Sequence, residues 1–132
     1  MALDTLAPLA DIAGVDLVSV LNWTIDPIPP AFAGKLEDLS TRLRSLDDTA
    51  ALIETLDLVI TVDTAVAHLA GAMGKPTWLL LHDFADCRWG LTSARSYWYP
   101  DVRHFRQRAA GDWAPVVDEL TAELTALAKA RA

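Results

Sequence analysis

Apolar residues recur along this chain in two alternating patterns, short β-type runs and stretches at helical spacing. Residues 3–12 carry leucines at helical spacing and predict a first helix, which ends before Gly14. The β-branched run 15–21 predicts a strand, and the prolines of residues 22–30 exclude regular structure after it. Residues 36–39 predict another short strand.

Residues 45–62 predict a helix followed by a buried strand. Ser45 and Asp48 have the spacing of a capping box in front of an apolar run, so a helix is expected from there to about Leu56. Residues 58–62 are almost all leucine or β-branched. We therefore expect a fully buried strand at the centre of the sheet.

A second helix and another strand follow. Every residue of 64–73 except Thr64 and His68 is apolar or glycine, which predicts a helix packed closely against its neighbours. Gly74 provides its stop, and residues 77–81 predict the next strand.

The remaining chain predicts a long loop, a strand and a helix. Residues 82–101 show no regular pattern, although connections of this kind usually span only ~4 to 6 residues. Residues 102–105 predict a strand, and Asp112 is expected to cap a final helix with an apolar stripe. This alternation predicts an α/β fold, a Rossmann-like doubly wound parallel sheet of about four or five strands.

Composition narrows the class of protein. With 52% hydrophobic and 22% charged residues in 132 positions, the chain has the size and apolarity of one folded domain, which excludes disorder. Its net charge of −7 argues against binding to nucleic acid or anionic lipid. No apolar run approaches the ~20 residues that span a bilayer, and no signal peptide is recognisable, so a cytoplasmic location is expected. Cys87 has no disulfide partner, and neither a metal nor another cofactor is expected.

Polar side chains follow the strand at residues 58–62, at the edge where open α/β sheets bind ligands. Asp63 ends the strand, and Thr64 and His68 lie one helical turn apart on a common face. The free N–H groups at the start of the same helix would attract an anion. The alternative is structural: Asp63 and Thr64 cap the helix, and His68 is a partly buried histidine with satisfied hydrogen bonds.

The segment LVITVDTAVAHLAGAMGKP at residues 58–76 resembles the nucleotide-sugar-binding motif of heptosyltransferase-type glycosyltransferases of family nine, and of related domains associated with tetratricopeptide repeats. The shared pattern is an apolar strand, Asp-Thr or Asp-Ser, a histidine five residues after the aspartate, an Ala-rich helix and Gly-x-Pro. The resemblance extends over residues 45–120. Four further short features resemble recurring features of the repeat-associated domains: DCRW at 86–89, WYP at 98–100, FRQ at 105–107 and GDW at 111–113.

This resemblance implies the C-terminal half of a GT-B fold. Asp63, Thr64, Ala65 and His68 would then lie against the diphosphate and sugar of a nucleotide-sugar donor, with His68 hydrogen-bonded to the diphosphate or to Asp63. Heptosyltransferases usually carry glycine at the position of Ala65, so the backbone here approaches a phosphate less closely. No residue is assigned a catalytic role.

The loop 82–101 and the strand after it add arginines and aromatic rings. Positions 88–108 contain five arginines and a single acidic residue, which gives this segment a net charge of +4 in an acidic chain. We therefore add Arg88 and Trp89 to the candidate substrate-binding residues, for the diphosphate and for stacking on a base or sugar. The alternative is that Trp89 and Trp98 pin the loop onto the core while the arginines pair with acidic neighbours.

Together these patterns predict that residues 1–132 form one truncated donor-binding domain. We expect it to bind a nucleotide diphosphate sugar, and to need a missing acceptor domain or a second copy of the chain for hexosyl or heptosyl transfer. The alternative is a non-catalytic remnant that serves homodimerisation or protein binding. A third interpretation is that the chain is a segment of a longer repeat-containing glycosyltransferase. The sequence identifies neither donor nor acceptor.

Overall fold

The computed structural model describes residues 1–131, in which strands and helices alternate as the sequence predicts. The five strands in this part of the chain are β1 (Leu17–Ser19), β2 (Leu36–Asp38), β3 (Val59–Val62), β4 (Thr77–Leu81) and β5 (Val102–Arg106). Its three α-helices are α1 (Leu46–Thr55), α2 (Ala65–Ala72) and α3 (Ala114–Arg131). Short 3₁₀ helices cover Leu3–Asp11, Pro30–Phe32, Ser40–Arg42 and Cys87–Trp89. The named strands pair in parallel, which confirms the α/β class and is consistent with a Rossmann-like fold.

The chain divides into two compact units, and the first joins residues 1–44 to the chain from Trp113 onward. Here β1 and β2 form a two-stranded parallel sheet in which Leu17 pairs with Leu36. The N-terminal 3₁₀ helix, which contains Pro8, packs against α3. The predicted first helix is thus present in the tighter 3₁₀ form, and its proline lacks the N–H that an α-helix interior uses.

The second unit, Ser45–Asp112, is built on the three-stranded parallel sheet β3-β4-β5. Val59 pairs with Thr77, and Thr77 pairs with Val102. Because the strands are parallel, their carboxyl ends share one edge of the sheet. Its buried apolar clusters consist of Ala67, Leu79, Leu81, Trp89 and Val102, and of Ile53, Val59 and Ala70.

β4 occupies the centre of this sheet. The sequence predicts a fully buried central strand at residues 58–62, and that prediction is wrong. In the sheet β3-β4-β5, β3 pairs with β4 alone, and among the four residues of β3 only Val59 is buried. Four of the five residues of β4 are buried. Both segments are mostly apolar, VITV in β3 and TWLLL in β4, so their hydrophobicity does not show which of them is central. β4 is the more buried because it has a strand on each side.

Local signals fix the ends of α1 and α2. Ser45 and Asp48 form the predicted capping box: the Asp48 N–H donates to Ser45 Oγ at 3.1 Å, and the Ser45 N–H donates to the Asp48 carboxylate at 3.0 Å. α2 ends in a Schellman motif at Gly74, whose φ of +68° favours glycine. The next residue, Lys75, donates from its amine to the carbonyl oxygen of Leu56 at 2.8 Å and joins the ends of the two helices.

Candidate functional site

The residues predicted from the β3–α2 motif lie around the start of α2. Asp63 directly follows β3, and Thr64 is the N-cap residue of α2 by its backbone position. The Thr64 hydroxyl makes no capping bond, and its oxygen lies 3.4 Å from the hydroxyl oxygen of Thr61. Asp63, Thr64 and Ala65 are exposed. Thr64 therefore does not cap the first turn of α2 with its side chain. Backbone N–H groups at helix starts are the groups that bind anions.

His68 contacts the other predicted residues through its ring nitrogens and its ring face. Its Nε2 lies 3.3 Å from Nη1 of Arg88, and its ring stacks on Trp89 with the centroids 5.0 Å apart and the planes 25° apart. The Asp63 carboxylate lies 4.0 Å from the same Nε2, beyond hydrogen-bonding distance. About a third of the His68 side chain (33%) remains exposed. The structure thus brings Asp63, His68, Arg88 and Trp89 together.

A single turn of 3₁₀ helix holds Arg88 against Asp86. The Asp86 carboxylate accepts a hydrogen bond from the backbone N–H of Arg88 at 2.9 Å and pairs with its guanidinium at 2.9 and 3.1 Å. The hydrogen bonds from the Arg88 side chain lower the pKa of Asp86 to about 2, and the hydrogen bond from the Arg88 backbone N–H is the next largest cause. The same pairing raises the pKa of Arg88. Asp86 therefore stays ionised at neutral pH and keeps the guanidinium beside His68.

Trp89 and Trp98 occupy opposite environments. Trp89 is fully buried (0% exposed), whereas Trp98 is 71% exposed. The Trp89 ring supports His68 from within the apolar cluster, and among the described residues its indole Nε1 has no hydrogen-bond partner. Trp89 thus acts on the site through His68, while Trp98 lies on the surface.

The loop between β4 and β5 is tied to the sheet. Arg106, at the end of β5, donates from Nη2 to the carbonyl oxygen of Gly90 at 2.7 Å, and burial lowers the pKa of Arg106. The backbone N–H of His104 donates to the Ala94 carbonyl at 2.8 Å, and His104 Nδ1 lies 2.9 Å from the Ser93 carbonyl oxygen. These contacts fix the loop that carries the arginine and the tryptophan of the site.

The arginines that follow position 88 lie in different environments. The Arg103 guanidinium lies 4.6 Å from the centre of a neighbouring phenylalanine ring. Arg95 donates to a backbone carbonyl oxygen at 3.4 Å. The positive charge predicted from the sequence is therefore spread along the loop and β5, and Arg88 is the arginine that reaches His68.

Two residues at this site were not predicted as site residues. Asp86 belongs to the DCRW feature, and its place two positions before an arginine is a signal of a local pair. Tyr99 belongs to the WYP feature, and its hydroxyl oxygen lies 3.1 Å from His68 Nδ1 although the two residues are 31 positions apart. No local pattern connects that pair, because the contact depends on how the loop folds over α2.

Within residues 1–131, no group of three or more His, Cys, Asp or Glu side chains is placed to hold a metal ion. In that part of the chain, no helix has both the length and the apolar composition needed to cross a bilayer.

Comparison with known proteins identifies a family and a relative. The family model of glycosyltransferase family 9 (heptosyltransferase) matches residues 29–96, which include every predicted substrate-binding residue. Protein FlbA of Caulobacter vibrioides is 38% identical to this chain over 80 residues, which are 60% of this chain and 13% of FlbA. The chain therefore spans only a small part of that relative. No solved structure matches the chain at a significant level.

Proposed function

This chain belongs to glycosyltransferase family 9, and from that premise we propose that its second unit binds a nucleotide diphosphate sugar. In this proposal Asp63, Thr64, Ala65, His68 and Arg88 contact the ligand, and the buried Trp89 belongs to the site as the ring that supports His68. One observation carries it: the Arg88 guanidinium and the Trp89 ring both contact His68 next to the carboxyl end of β3. Open α/β sheets bind their ligands at this edge.

Arg88 supplies the positive charge for the diphosphate. Its side chain is 48% exposed, and its planar guanidinium presents N–H donors in the geometry that phosphate oxygens accept. In the absence of ligand Asp86 neutralises part of this charge, so a diphosphate shares or replaces the Asp86 contact. The N–H groups at the start of α2 and the Thr64 hydroxyl add polar contacts.

Transfer of the sugar is assigned to a larger assembly. The chain spans 13% of FlbA, so the matched region of that relative is accompanied by much additional protein. In this proposal an acceptor domain, or a second copy of the chain, faces the same edge of the sheet and completes a hexosyl or heptosyl transferase. The unit Ser45–Asp112 contributes the donor half of the site.

Donor binding should stabilise the full chain against heat. A thermal-shift panel would compare ADP-, UDP-, GDP- and CDP-sugars with the bare nucleoside diphosphates. A ligand at 100-fold over its Kd stabilises the folded state by about 2.7 kcal/mol. We expect one nucleotide class to raise the melting temperature, and His68→Ala and Arg88→Ala each to abolish that rise, because each removes part of the diphosphate-binding arrangement.

Arg108→Ala is the matched control, since Arg108 is an exposed arginine at the far end of the same basic segment. It should retain the wild-type shift. Retained affinity in both His68→Ala and Arg88→Ala would contradict the assigned site. No shift with any nucleotide would overturn donor binding and favour a remnant for homodimerisation or protein binding, in which case light scattering should find a dimer that ignores nucleotides.

A further inference from the structure

Tyr99 contacts His68 from the side opposite to Arg88. Its hydroxyl oxygen lies 3.1 Å from His68 Nδ1, whereas Arg88 lies 3.3 Å from Nε2 of the same ring. The Tyr99 ring meets the imidazole edge-on, with the ring centroids 5.8 Å apart. The centroid of the Tyr99 ring lies 6.2 Å from that of the Trp89 ring. Both nitrogens of His68 are therefore occupied by side chains of the loop between β4 and β5.

The backbone and one glycine fix the position of Tyr99. Its N–H donates to Ser96 Oγ at 3.2 Å, and its carbonyl oxygen accepts from the Val102 N–H at 3.1 Å. A Cβ at Gly71 would lie 2.6 Å from Tyr99 Cγ, so the ring occupies space on α2 that only glycine leaves free. Tyr99 is thus held in place independently of its hydroxyl group.

The contacts with Arg88 and Tyr99 together determine where His68 carries its proton. A guanidinium has N–H donors and no acceptor, so Nε2 of His68 must offer its lone pair. A neutral imidazole that accepts at Nε2 carries its proton on Nδ1, and that N–H then donates to the Tyr99 hydroxyl oxygen. The Asp63 carboxylate, 4.0 Å from Nε2, makes no hydrogen bond that would favour the opposite tautomer.

We propose that Tyr99 is a positioning residue that holds His68 as the Nδ1–H tautomer, so that Nε2 accepts from Arg88 and aims its guanidinium at the diphosphate. The part that concerns the ligand rests on the proposed function. It also gives His68 a definite role, because a bare Nε2 cannot donate to a phosphate oxygen. His68 binds the guanidinium, or a hydroxyl of the sugar, and Arg88 binds the anion.

The test is the tautomer of His68 in the full chain, read at neutral pH from long-range ¹H–¹⁵N couplings of the labelled histidines. The His68 signals are assigned with His68→Gln. Wild type should show the Nδ1–H form, and Tyr99→Phe, which removes one oxygen atom, should shift His68 toward the Nε2–H form. Tyr97→Phe is the matched control, because Tyr97 is 80% exposed and shows no hydrogen bond to His68. An Nε2–H form in wild type, or an unchanged Nδ1–H form in Tyr99→Phe, would overturn the proposal.

A second measurement connects the tautomer to the ligand. The nucleoside diphosphate that stabilises wild type should bind about five- to tenfold more weakly to Tyr99→Phe, the loss of one hydrogen bond, and with unchanged affinity to Tyr97→Phe. Equal affinity in wild type and Tyr99→Phe would overturn the positioning role while leaving donor binding intact. If wild type binds no nucleotide, the proposed function fails, and the NMR measurement still decides whether Tyr99 sets the tautomer.

Discussion

Gly71 shows how the absence of one methyl group makes room for a residue of the site. An alanine in a helix is normally more stable than a glycine by about 1 kcal/mol. At this position the added Cβ would lie 2.6 Å from the Tyr99 ring, so the ring would have to move. We expect Gly71→Ala to lower the free energy of unfolding by about 1 to 3 kcal/mol, as overpacked positions do, in urea titrations.

Ala72→Gly provides the control for this substitution, since Ala72 is an exposed residue of the same helix. It should cost at most about 1 kcal/mol through helix propensity and leave any nucleotide shift unchanged. Gly71→Ala should weaken that shift as well, because the displaced ring no longer supports His68. A Gly71→Ala protein more stable than wild type would contradict the packing of Tyr99 against α2.

At the scale of elements, α1 depends on its capping box. Ser45→Ala removes the acceptor of the Asp48 N–H and should lower the free energy of unfolding by about 1 kcal/mol. Asp48→Ala removes the reciprocal bond, so the double variant should lose less than the sum of the two single losses. Urea unfolding of the three variants measures this coupling. Thr55→Ala, at the other end of α1, is the control, and strictly additive losses for Ser45 and Asp48 would contradict a shared motif.

The elements themselves were predictable to different degrees. The strand at residues 77–81 agrees with β4 residue for residue, because Gly74 and Pro76 delimit it in the sequence. The final helix begins at Ala114, two residues after the expected cap at Asp112. Helix ends were predictable where a capping motif or a glycine lies within a few residues of the end. Whether a strand is central or at the edge of its sheet depends on partner strands that are distant in the chain.

For the whole molecule, acid destabilisation should begin with His104. Burial lowers the pKa of His104 below 6.5; the Ser93 carbonyl raises it, and the charge of Arg106 lowers it further. The unfolded chain therefore takes up this proton at a higher pH than the folded chain does, and the free energy of unfolding should fall as the pH drops below about 6.5. Asp38 and Asp86, whose pKa values are lowered in the folded chain, affect stability only at a lower pH. Their stabilising contributions are lost as the pH falls below 3.8.

Urea titrations at about pH 7.5 and about pH 5.5 would test this order of events. His104→Gln should lose less stability between the two pH values than wild type does. The same pH dependence in both proteins would contradict the assignment to His104.

The candidate site was only partly predictable from the sequence. Asp63, Thr64 and His68 were found because β3, the start of α2 and their spacing are local features. Arg88 and Trp89 were found from composition, which indicated neither that Trp89 is buried nor that Arg88 reaches His68.

The sequence by itself determined the order of helices and strands, the α/β class, the capping box and the resemblance to family nine glycosyltransferases. These properties depend on periodicity, backbone preferences and hydrogen bonds between residues a few positions apart. Only the tertiary structure decided that β4 is central and that His68 lies between Arg88 and Tyr99. The physical reason is that burial and side-chain hydrogen bonds across 20 and 31 positions depend on how separate segments pack, and such packing leaves no periodic trace in the sequence.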